Sequence, residues 1–87
     1  MSVSWLSRKL PIKQARILII AGSDSSGGAG IQADIKTATA FGAYAMTAIT
    51  AVTVQDTKRI YAVQPVMPAI VRDQITRVLA DIGADAI

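Results

Sequence analysis

The residues best suited to chemistry lie in one glycine-rich run, Gly22–Gly30, which reads Gly-Ser-Asp-Ser-Ser-Gly-Gly-Ala-Gly. Glycine lets backbone approach a ligand closely, and free N–H groups at the start of a helix attract anions or polar oxygen atoms. Such a run predicts a loop that binds a phosphate or a polar small molecule. The structural alternative is a tight turn into a helix, with Ser25 or Ser26 as its N-cap.

Two nucleotide-binding motifs can be compared with this loop. A Walker A loop ends in Gly-Lys-Ser/Thr, whereas residues 27–29 are Gly-Gly-Ala and contain no lysine. The dinucleotide pattern Gly-x-Gly-x-x-Gly is met at Gly28 and Gly30, with Ala33 in the third position, a permitted variant. Its acidic residue is expected about 20 positions further on, and Asp56 stands near that distance in a different context. The match to a dinucleotide site is therefore weak.

Three further polar residues are placed where they could serve the same site. Asp34 lies one helical turn after Gly30 and either faces the ligand of the loop or is an acid near the positive end of a helix dipole. Gln55 and Asp56 follow an apolar run. Ligands of open α/β sheets bind at the carboxyl ends of the strands, so this pair belongs either to the site or to an ordinary polar loop.

Apolar periodicity and the turn residues predict the elements that position these side chains. Gly42 and Gly83 stand where helix-ending glycines are expected. The predicted elements are a strand at 16–22, a helix at 28–41, a strand at 44–54, a shorter exposed strand at 59–66, a helix at 68–82 and the start of a third core strand at 84–87. This order predicts an α/β fold with a mainly parallel sheet. Because two helices cannot cover both faces of such a sheet well, we expect the chain to be part of a larger domain.

Composition restricts the chemistry further. The 87 residues include no histidine and no cysteine, which excludes an imidazole base and a thiolate metal site. Hydrophobic residues make up 52% and aromatic residues 5%, which suits buried strands better than a base-stacking surface. We therefore expect a cytoplasmic protein that binds neither nucleic acid nor a membrane.

The positive charge is concentrated at the amino terminus. The net charge is +3 overall, and the basic residues of the first sixteen positions are Arg8, Lys9, Lys13 and Arg16, with no acid among them. The rest of the chain is close to neutral. We predict that residues 1–15 form a disordered basic leader; an organellar transit peptide is the alternative.

The segment 21–37, Ala-Gly-Ser-Asp-Ser-Ser-Gly-Gly-Ala-Gly-Ile-Gln-Ala-Asp-Ile-Lys-Thr, is longer and more specific than either generic motif. It resembles the amino-terminal signature of the hydroxymethylpyrimidine/phosphomethylpyrimidine kinases of thiamine synthesis. The resemblance continues through Phe41–Tyr44, Ala48–Thr57 and Gln64–Val66 and covers about residues 16–87. It implies a partial three-layer ribokinase-like α/β fold that stops after the second helix.

The resemblance also implies roles for particular residues. In that family the amino-terminal glycine segment lies near the phosphate acceptor, with Gly22 and nearby backbone lining the pocket. Asp34 would contact the hydroxymethyl side of the substrate, and Gln55 would hold the aminopyrimidine ring, since an amide both accepts and donates hydrogen bonds. The complete family enzyme transfers the γ-phosphoryl group of ATP, with Mg²⁺, to hydroxymethylpyrimidine and then to its monophosphate.

The catalytic residue and most of the ATP site of the family lie in its carboxyl-terminal part, and no catalytic residue is assigned within this chain. The 87-residue chain is therefore expected to be inactive by itself. Three alternatives are a pyrimidine-binding module without catalysis, a fragment that pairs through its strand edges with a copy of itself or another chain, and a kinase of pyridoxal type. Binding of hydroxymethylpyrimidine, the oligomeric state and substrate preference would discriminate them.

Overall fold

The computed structural model describes residues 14–87. The strands are β1 (Arg16–Asp24), β2 (Tyr44–Gln55) and β3 (Ile60–Pro65), and the helices are α1 (Gly30–Ala40) and α2 (Pro68–Asp81). The first five predicted elements are present, with ends that differ from the predictions by at most two residues. The predicted basic leader falls outside the described residues, apart from Gln14 and Ala15.

The strands form one mixed sheet in the order β1-β2-β3. β1 and β2 are parallel, with Arg16 opposite Tyr44 and Ile20 opposite Ala48, and β3 runs antiparallel to β2. The parallel pair requires a crossover connection, and α1 supplies it. Because β1 and β2 are parallel, their carboxyl ends meet at one edge of the sheet. The predicted α/β class is confirmed.

The two helices cover the sheet where its side chains are apolar. Leu18, Met46 and Ala48 are buried together, and Leu18 is only 1% exposed. Ile75 and Val78 of α2, and Ile82 directly after it, pack against this cluster and are partly buried. α1 instead packs on β1 and β2 through its buried residues Ile31 and Ala38. Successive side chains of a strand point to opposite faces, so the buried neighbours Leu18 and Ile19 serve different layers.

Both predicted helix-ending glycines lie just beyond the helices. Gly42 has a φ of 78°, its N–H donates to the Thr39 carbonyl at 3.0 Å, and the Ala43 N–H donates to the Ala38 carbonyl at 2.9 Å. This pair of bonds is a Schellman motif, which satisfies carbonyl groups at the end of α1. The prediction that Ser25 or Ser26 caps α1 is wrong. Ala29 occupies that position without a side-chain hydrogen bond.

The last residues begin to pair with the free side of β1, as predicted for a third core strand. Ala86 forms a parallel bridge with Ile17, and the Leu18 N–H donates to the Ala86 carbonyl at 3.0 Å. Arg16 secures this segment through an ion pair of 2.9 Å with Asp85 and a bond of 2.6 Å to the Ile82 carbonyl. β1 therefore lies between β2 and the carboxyl-terminal segment.

β3 is exposed along its whole length. The large apolar side chains that remain exposed on it and on the adjoining end of β2 are Val52, Val54, Ile60, Tyr61 and Val63. This exposure agrees with the expectation that two helices leave part of the sheet uncovered. Neither helix of the described region 14–87 combines the length and the apolar character needed to cross a bilayer.

Candidate functional site

Two of the three predicted site residues, Gly22 and Gln55, lie near the carboxyl ends of β1 and β2. β1 ends at Asp24, and the loop at residues 25–29 leads from it into α1. β2 ends at Gln55 beside this loop, and Ser23 and Asp24 pair with Val52 and Thr53. The edge formed by two parallel strands and a helix amino terminus is where open α/β sheets bind ligands.

The Asp24 side chain organises the loop from within. Asp24 is 4% exposed and is the one buried charged residue among residues 14–87. Its Oδ1 accepts hydrogen bonds from the Ser26 N–H at 2.8 Å and the Ser26 hydroxyl at 2.7 Å, and its Oδ2 accepts one from the Gly28 N–H at 3.0 Å. A buried carboxylate needs such donors to offset the loss of water. The donors of the loop therefore surround the Asp24 carboxylate, an anion that the protein itself supplies.

These hydrogen bonds lower the pKa of Asp24. The Ser26 hydroxyl is the largest cause and the backbone N–H groups of Ser26, Ala29 and Gly28 act in the same direction, whereas burial opposes them. Asp24 is consequently ionised at neutral pH. Because the loop N–H groups already bind its carboxylate, they are not free donors for an external phosphate. The geometry thus disfavours an anion-binding loop and agrees with the missing Walker lysine.

Two side chains of α1 hold the loop from the other side. Gln32 accepts a hydrogen bond from the Asp24 N–H at 2.8 Å and donates one to the Ser23 hydroxyl at 2.7 Å. Lys36 donates to the Gly27 carbonyl at 2.9 Å. The helix and the loop therefore fix each other, and Lys36 is engaged with the protein backbone.

Gly22, a predicted pocket residue, lies at an irregularity in the pairing of β1 with β2. Ala21 is opposite Ile49 and Ser23 is opposite Val52, so Gly22 faces a bulge in β2. Gly30 has a φ of 59° and packs directly on Gly22: a β-carbon on Gly30 would overlap the Gly22 carbonyl oxygen. Only glycine combines this conformation with so close an approach. The two glycines bring the start of α1 against the end of β1.

Gln55 is joined to the loop through its backbone. The Ser25 hydroxyl accepts from the Gln55 N–H and donates to the Gln55 carbonyl, both at 2.9 Å. The Gln55 side-chain amide lies 2.8 Å from the Thr53 hydroxyl, which is 2.9 Å from the Ser23 carbonyl. Gln55 is therefore placed beside the residue that follows Gly22, and these two predicted site residues share one edge of the sheet.

Asp34, the third predicted site residue, is not tied to the other two. It is exposed on α1, and within the described chain no hydrogen bond or ion pair involves its carboxylate. Its contact with a substrate therefore stays a prediction. By contrast, its neighbour Gln32 donates to the Ser23 hydroxyl at the end of β1, and Lys36 donates to the Gly27 carbonyl in the loop.

Asp56 shapes the turn between β2 and β3. Its carboxylate accepts hydrogen bonds from the Lys58 N–H at 2.8 Å, the Arg59 N–H at 3.1 Å and the Tyr61 hydroxyl at 2.8 Å. These donors, the Lys58 N–H foremost, lower the pKa of Asp56. The Arg59 guanidinium lies 4.5 Å from the centre of the Tyr61 ring. Asp56 therefore stabilises a polar turn, which is one of the two interpretations that the sequence left open for it.

Sequence reasoning did not single out Asp24, Ser25 or Thr53 as parts of the site. For Asp24 a signal was available, because aspartate commonly bonds backbone N–H groups two or more residues ahead in tight turns. Ser25 was considered only as a helix cap. Thr53 carried no signal, since its partners Ser23 and Gln55 are defined by strand pairing.

The described residues do not form a metal site. Among them no group of three acidic, histidine or cysteine side chains stands close enough to hold an ion. The oxygen atoms of Asp24 are engaged by loop donors, and those of Asp56 by the turn. These side chains therefore do not fit Mg²⁺ or the phosphate groups of ATP.

A separate groove of about 490 Å³ lies between α2 and the sheet. It is lined mainly by apolar groups, with Val66, Val71 and Ile75 among its lining residues, and none of the three predicted site residues borders it. Its position beside the exposed β3 distinguishes it from the polar edge around the glycine loop.

Comparison with known proteins gives a consistent result. The family model described as phosphomethylpyrimidine kinase matches residues 24–87. The hydroxymethylpyrimidine/phosphomethylpyrimidine kinase of Mycobacterium leprae is 53% identical over 68 residues, which are 78% of this chain and 24% of that protein. The chain spans only part of its curated relatives, from 13% of one to 27% of another.

Two solved structures share the fold. The crystal structure of phosphomethylpyrimidine kinase from Clostridium difficile superposes with a TM-score of 0.78 at 52% identity, covering 82% of this chain and 31% of that one. The pyridoxal kinase of Staphylococcus aureus, in complex with AMP-PCP and pyridoxal, gives a TM-score of 0.75 at 40% identity, covering 85% and 28%. These matches confirm the predicted ribokinase-like α/β class for the part they share.

Proposed function

Since the chain belongs to the phosphomethylpyrimidine kinase family, we propose that it forms the acceptor-binding part of an ATP-dependent kinase of thiamine diphosphate synthesis. The substrate is 4-amino-5-hydroxymethyl-2-methylpyrimidine and then its monophosphate. Residues 16–87 are, in this proposal, the amino-terminal part of a ribokinase-like kinase domain. ATP and Mg²⁺ bind to residues outside the described set.

The observation that carries the proposal is that the Asp24 carboxylate occupies the N–H groups of the glycine loop. Because the Asp24 carboxylate engages the loop N–H groups, this edge of the sheet suits a neutral, polar acceptor better than a phosphate chain. The Gln55 amide lies at the same edge and offers both an acceptor and a donor. An aminopyrimidine presents the complementary pair, an exocyclic amine and a ring nitrogen.

Gly22, Gln55 and Asp34 take distinct roles in this proposal. Gln55 accepts from the exocyclic amine and donates to the ring nitrogen. The backbone around Gly22 forms a wall of the pocket, where a side chain would take up space. Asp34 contacts the hydroxymethyl group, which receives the phosphoryl group from ATP. Asp34 is not assigned as a catalytic base, and the chain supplies no catalytic residue.

A pyridoxal kinase is the second candidate, because the S. aureus pyridoxal kinase is 40% identical over the shared part. The two candidates differ in the ring that Gln55 would face. An aminopyrimidine has an amine beside a ring nitrogen, whereas pyridoxal has no exocyclic amine. The Gln55 amide finds its full set of partners on the aminopyrimidine, which favours the first candidate.

A chimera tests the choice between these substrates. Residues 16–87 would replace the corresponding part of the C. difficile kinase, which is 52% identical. We expect phosphorylation of hydroxymethylpyrimidine with a higher kcat/KM than that of pyridoxal. A preference for pyridoxal would support the second candidate, and a folded chimera that phosphorylates neither would contradict the proposal.

Two substitutions in the chimera test the assigned residues. Gln55→Ala should lower kcat/KM for hydroxymethylpyrimidine by roughly tenfold or more, because it removes two polar contacts. Asp34→Ala should also lower it. Gln64→Ala, on the exposed strand β3, is the matched control and should leave it unchanged. Equal rates for Gln55→Ala and Gln64→Ala would remove Gln55 from the site.

The isolated chain has its own test. We expect the 87-residue chain to transfer no phosphoryl group from ATP to hydroxymethylpyrimidine, because its described residues hold no site for Mg²⁺ or the ATP phosphates. A radioactive transfer assay would detect weak activity. Transfer above the enzyme-free rate would show that the chain holds more of the catalytic machinery than proposed.

A further inference from the structure

The hydrogen bonds around Thr53 are incompatible with the side-chain amide of Gln55 as it is oriented. The Thr53 hydroxyl lies 2.9 Å from the Ser23 carbonyl oxygen and 2.8 Å from Gln55 Oε1. Both neighbours are acceptors in this arrangement, and a hydroxyl has a single proton to donate. One of the two short contacts would therefore bring oxygen atoms together without a full hydrogen bond.

The conflict has one simple resolution. The Ser23 carbonyl is part of the backbone and its oxygen is fixed, whereas the oxygen and nitrogen of a glutamine amide exchange places when the group turns by 180°. If the Gln55 amide turns, Nε2 stands 2.8 Å from the Thr53 oxygen and donates to it. The Thr53 proton is then free for the Ser23 carbonyl, and each of the two short contacts of the Thr53 hydroxyl joins a donor to an acceptor.

Two other glutamines show that the conflict is specific to Gln55. Gln74 accepts from the Ile49 N–H at 2.9 Å and donates to the Ile49 carbonyl at 3.0 Å, so the backbone fixes its orientation. Gln32 accepts from the Asp24 N–H at 2.8 Å, which fixes its oxygen in the same way. Among residues 14–87, the one group that contacts the Gln55 amide is a hydroxyl, which both donates and accepts.

We propose that Thr53 is a specificity-determining positioning residue: its hydroxyl accepts a hydrogen bond from Gln55 Nε2 and so fixes the order of acceptor and donor that Gln55 presents to a ligand. The relay runs from Gln55 Nε2 to the Thr53 oxygen, and from the Thr53 proton to the Ser23 carbonyl. It connects the ligand-facing amide to the backbone beside Gly22. The role in specificity rests on the proposed function, whereas the hydrogen bond does not.

The order of the polar groups matters because turning the amide exchanges its acceptor and its donor, so that it pairs with a ligand whose donor and acceptor are also exchanged. An aminopyrimidine offers a donor at its exocyclic amine and an acceptor at the adjacent ring nitrogen. The corresponding 4-oxo compound offers an acceptor and an N–H donor in the same places. An amide held by Thr53 accommodates one of these edges and leaves mismatched polar groups with the other. An amide free to turn accommodates both.

Nuclear magnetic resonance of the ¹⁵N-labelled 87-residue chain tests the hydrogen bond directly. The sequence has five glutamines and no asparagine, so the side-chain amide signals are few. One Nε2 proton of Gln55 should exchange with water roughly three- to tenfold more slowly than those of the exposed Gln64, as a single hydrogen bond of ordinary strength would cause. Gln74 serves as the protected reference. The protection should disappear in Thr53→Val and persist in Thr53→Ser.

Competition binding in the chimera described above tests the consequence for specificity and remains informative if the isolated chain does not fold. The wild-type sequence should bind hydroxymethylpyrimidine more tightly than its 4-oxo analogue. Thr53→Val should reduce this ratio by roughly tenfold, the factor for one lost hydrogen bond, and Thr53→Ser should restore it. Thr76→Val, on the exposed face of α2, is the control for a threonine-to-valine change.

The outcomes separate this proposal from the proposed function. If Thr53→Val leaves both the exchange rates and the binding ratio unchanged, the positioning role of Thr53 is wrong while the kinase function stands. If neither the wild-type chimera nor its variants bind a pyrimidine, the proposed function fails. The exchange rates alone then show whether the hydrogen bond between Gln55 and Thr53 forms. Loss of protection in Thr53→Ser as well as in Thr53→Val would show that the methyl group matters and would overturn the relay.

Discussion

Gly30 packs so closely on Gly22 that the Gly22 carbonyl oxygen occupies the space where a Gly30 β-carbon would stand. The contact joins the first residue of α1 to the end of β1, and Ser23 and Gly30 form a bridge beside it. Both sides of the contact are backbone, so neither can move away as a side chain would. The position of α1 relative to the sheet edge therefore depends on a missing side chain.

Gly30→Ala should destabilise the chain by more than about 2 kcal/mol, because it adds both a disfavoured φ and a clash with backbone. Gly28→Ala is the matched control, since a β-carbon on Gly28 would meet nothing within 4 Å. Its effect should be within about 0.5 kcal/mol. Urea unfolding of the three chains measures both values, and equal midpoints for the two variants would contradict the packing argument.

Asp24→Asn should loosen the glycine loop. The amide nitrogen of asparagine cannot accept a hydrogen bond, so either the two Ser26 donors or the Gly28 N–H would lose their acceptor. We expect a fall in Tm of roughly 5 °C or more. Asp34→Asn removes the same charge from an exposed site with no described partner and should change Tm little. Thermal unfolding followed by circular dichroism compares the two, and a similar Tm for both would refute the organising role of Asp24.

The free energy of unfolding should decrease as the pH is lowered below about 4, the ordinary pKa of aspartate. In the folded state, hydrogen bonds lower the pKa of Asp24, chiefly the bond from the Ser26 hydroxyl. They also lower the pKa of Asp56, chiefly the bond from the Lys58 N–H. A folded-state pKa below the unfolded value gives stabilisation that is present at higher pH and is lost as pH falls through the folded pKa.

Unfolding midpoints measured from neutral pH down to about pH 2 check this dependence. The Asp24→Asn chain should lose less stability than the wild-type chain across the acidic range, because the carboxylate that titrates is gone. Parallel curves for the two chains would mean that the Asp24 carboxylate contributes no pH dependence.

Asp85→Asn should free the carboxyl-terminal segment from β1. The Arg16 guanidinium bonds Asp85 at 2.9 and 3.2 Å and the Arg16 N–H bonds it at 2.7 Å, so the neutral variant loses charge-assisted contacts. The Leu18 N–H, which donates to Ala86, should then exchange with deuterium several-fold faster. Asp73→Asn, beside exposed Arg72, is the control. Unchanged Leu18 exchange would show that the strand pairing holds without the ion pair.

The elements of this fold could be predicted from the sequence because each has a local signal. Apolar runs of strand length mark β1 and β2, and helical spacing from Ile31 to Ala38 marks α1. Gly42 marks the end of that helix through a backbone conformation that glycine adopts readily. The alternation of strands and helices then indicated a mainly parallel sheet; β1 and β2 are parallel, whereas β3 adds an antiparallel strand. The resemblance to a kinase family likewise came from contiguous residues around the glycine loop.

The roles of individual polar side chains depended on partners distant in the sequence, and only the tertiary structure decided them. Pairing of β1 with β2 places Thr53 beside Ser23, thirty residues away, and Ser25 beside Gln55. Asp24 is buried, and its carboxylate accepts hydrogen bonds from the loop N–H groups that a phosphate would otherwise use. Residue type limits which hydrogen bonds a side chain can make. Packing determines which donors and acceptors stand within 3 Å of it, and therefore which of those bonds form.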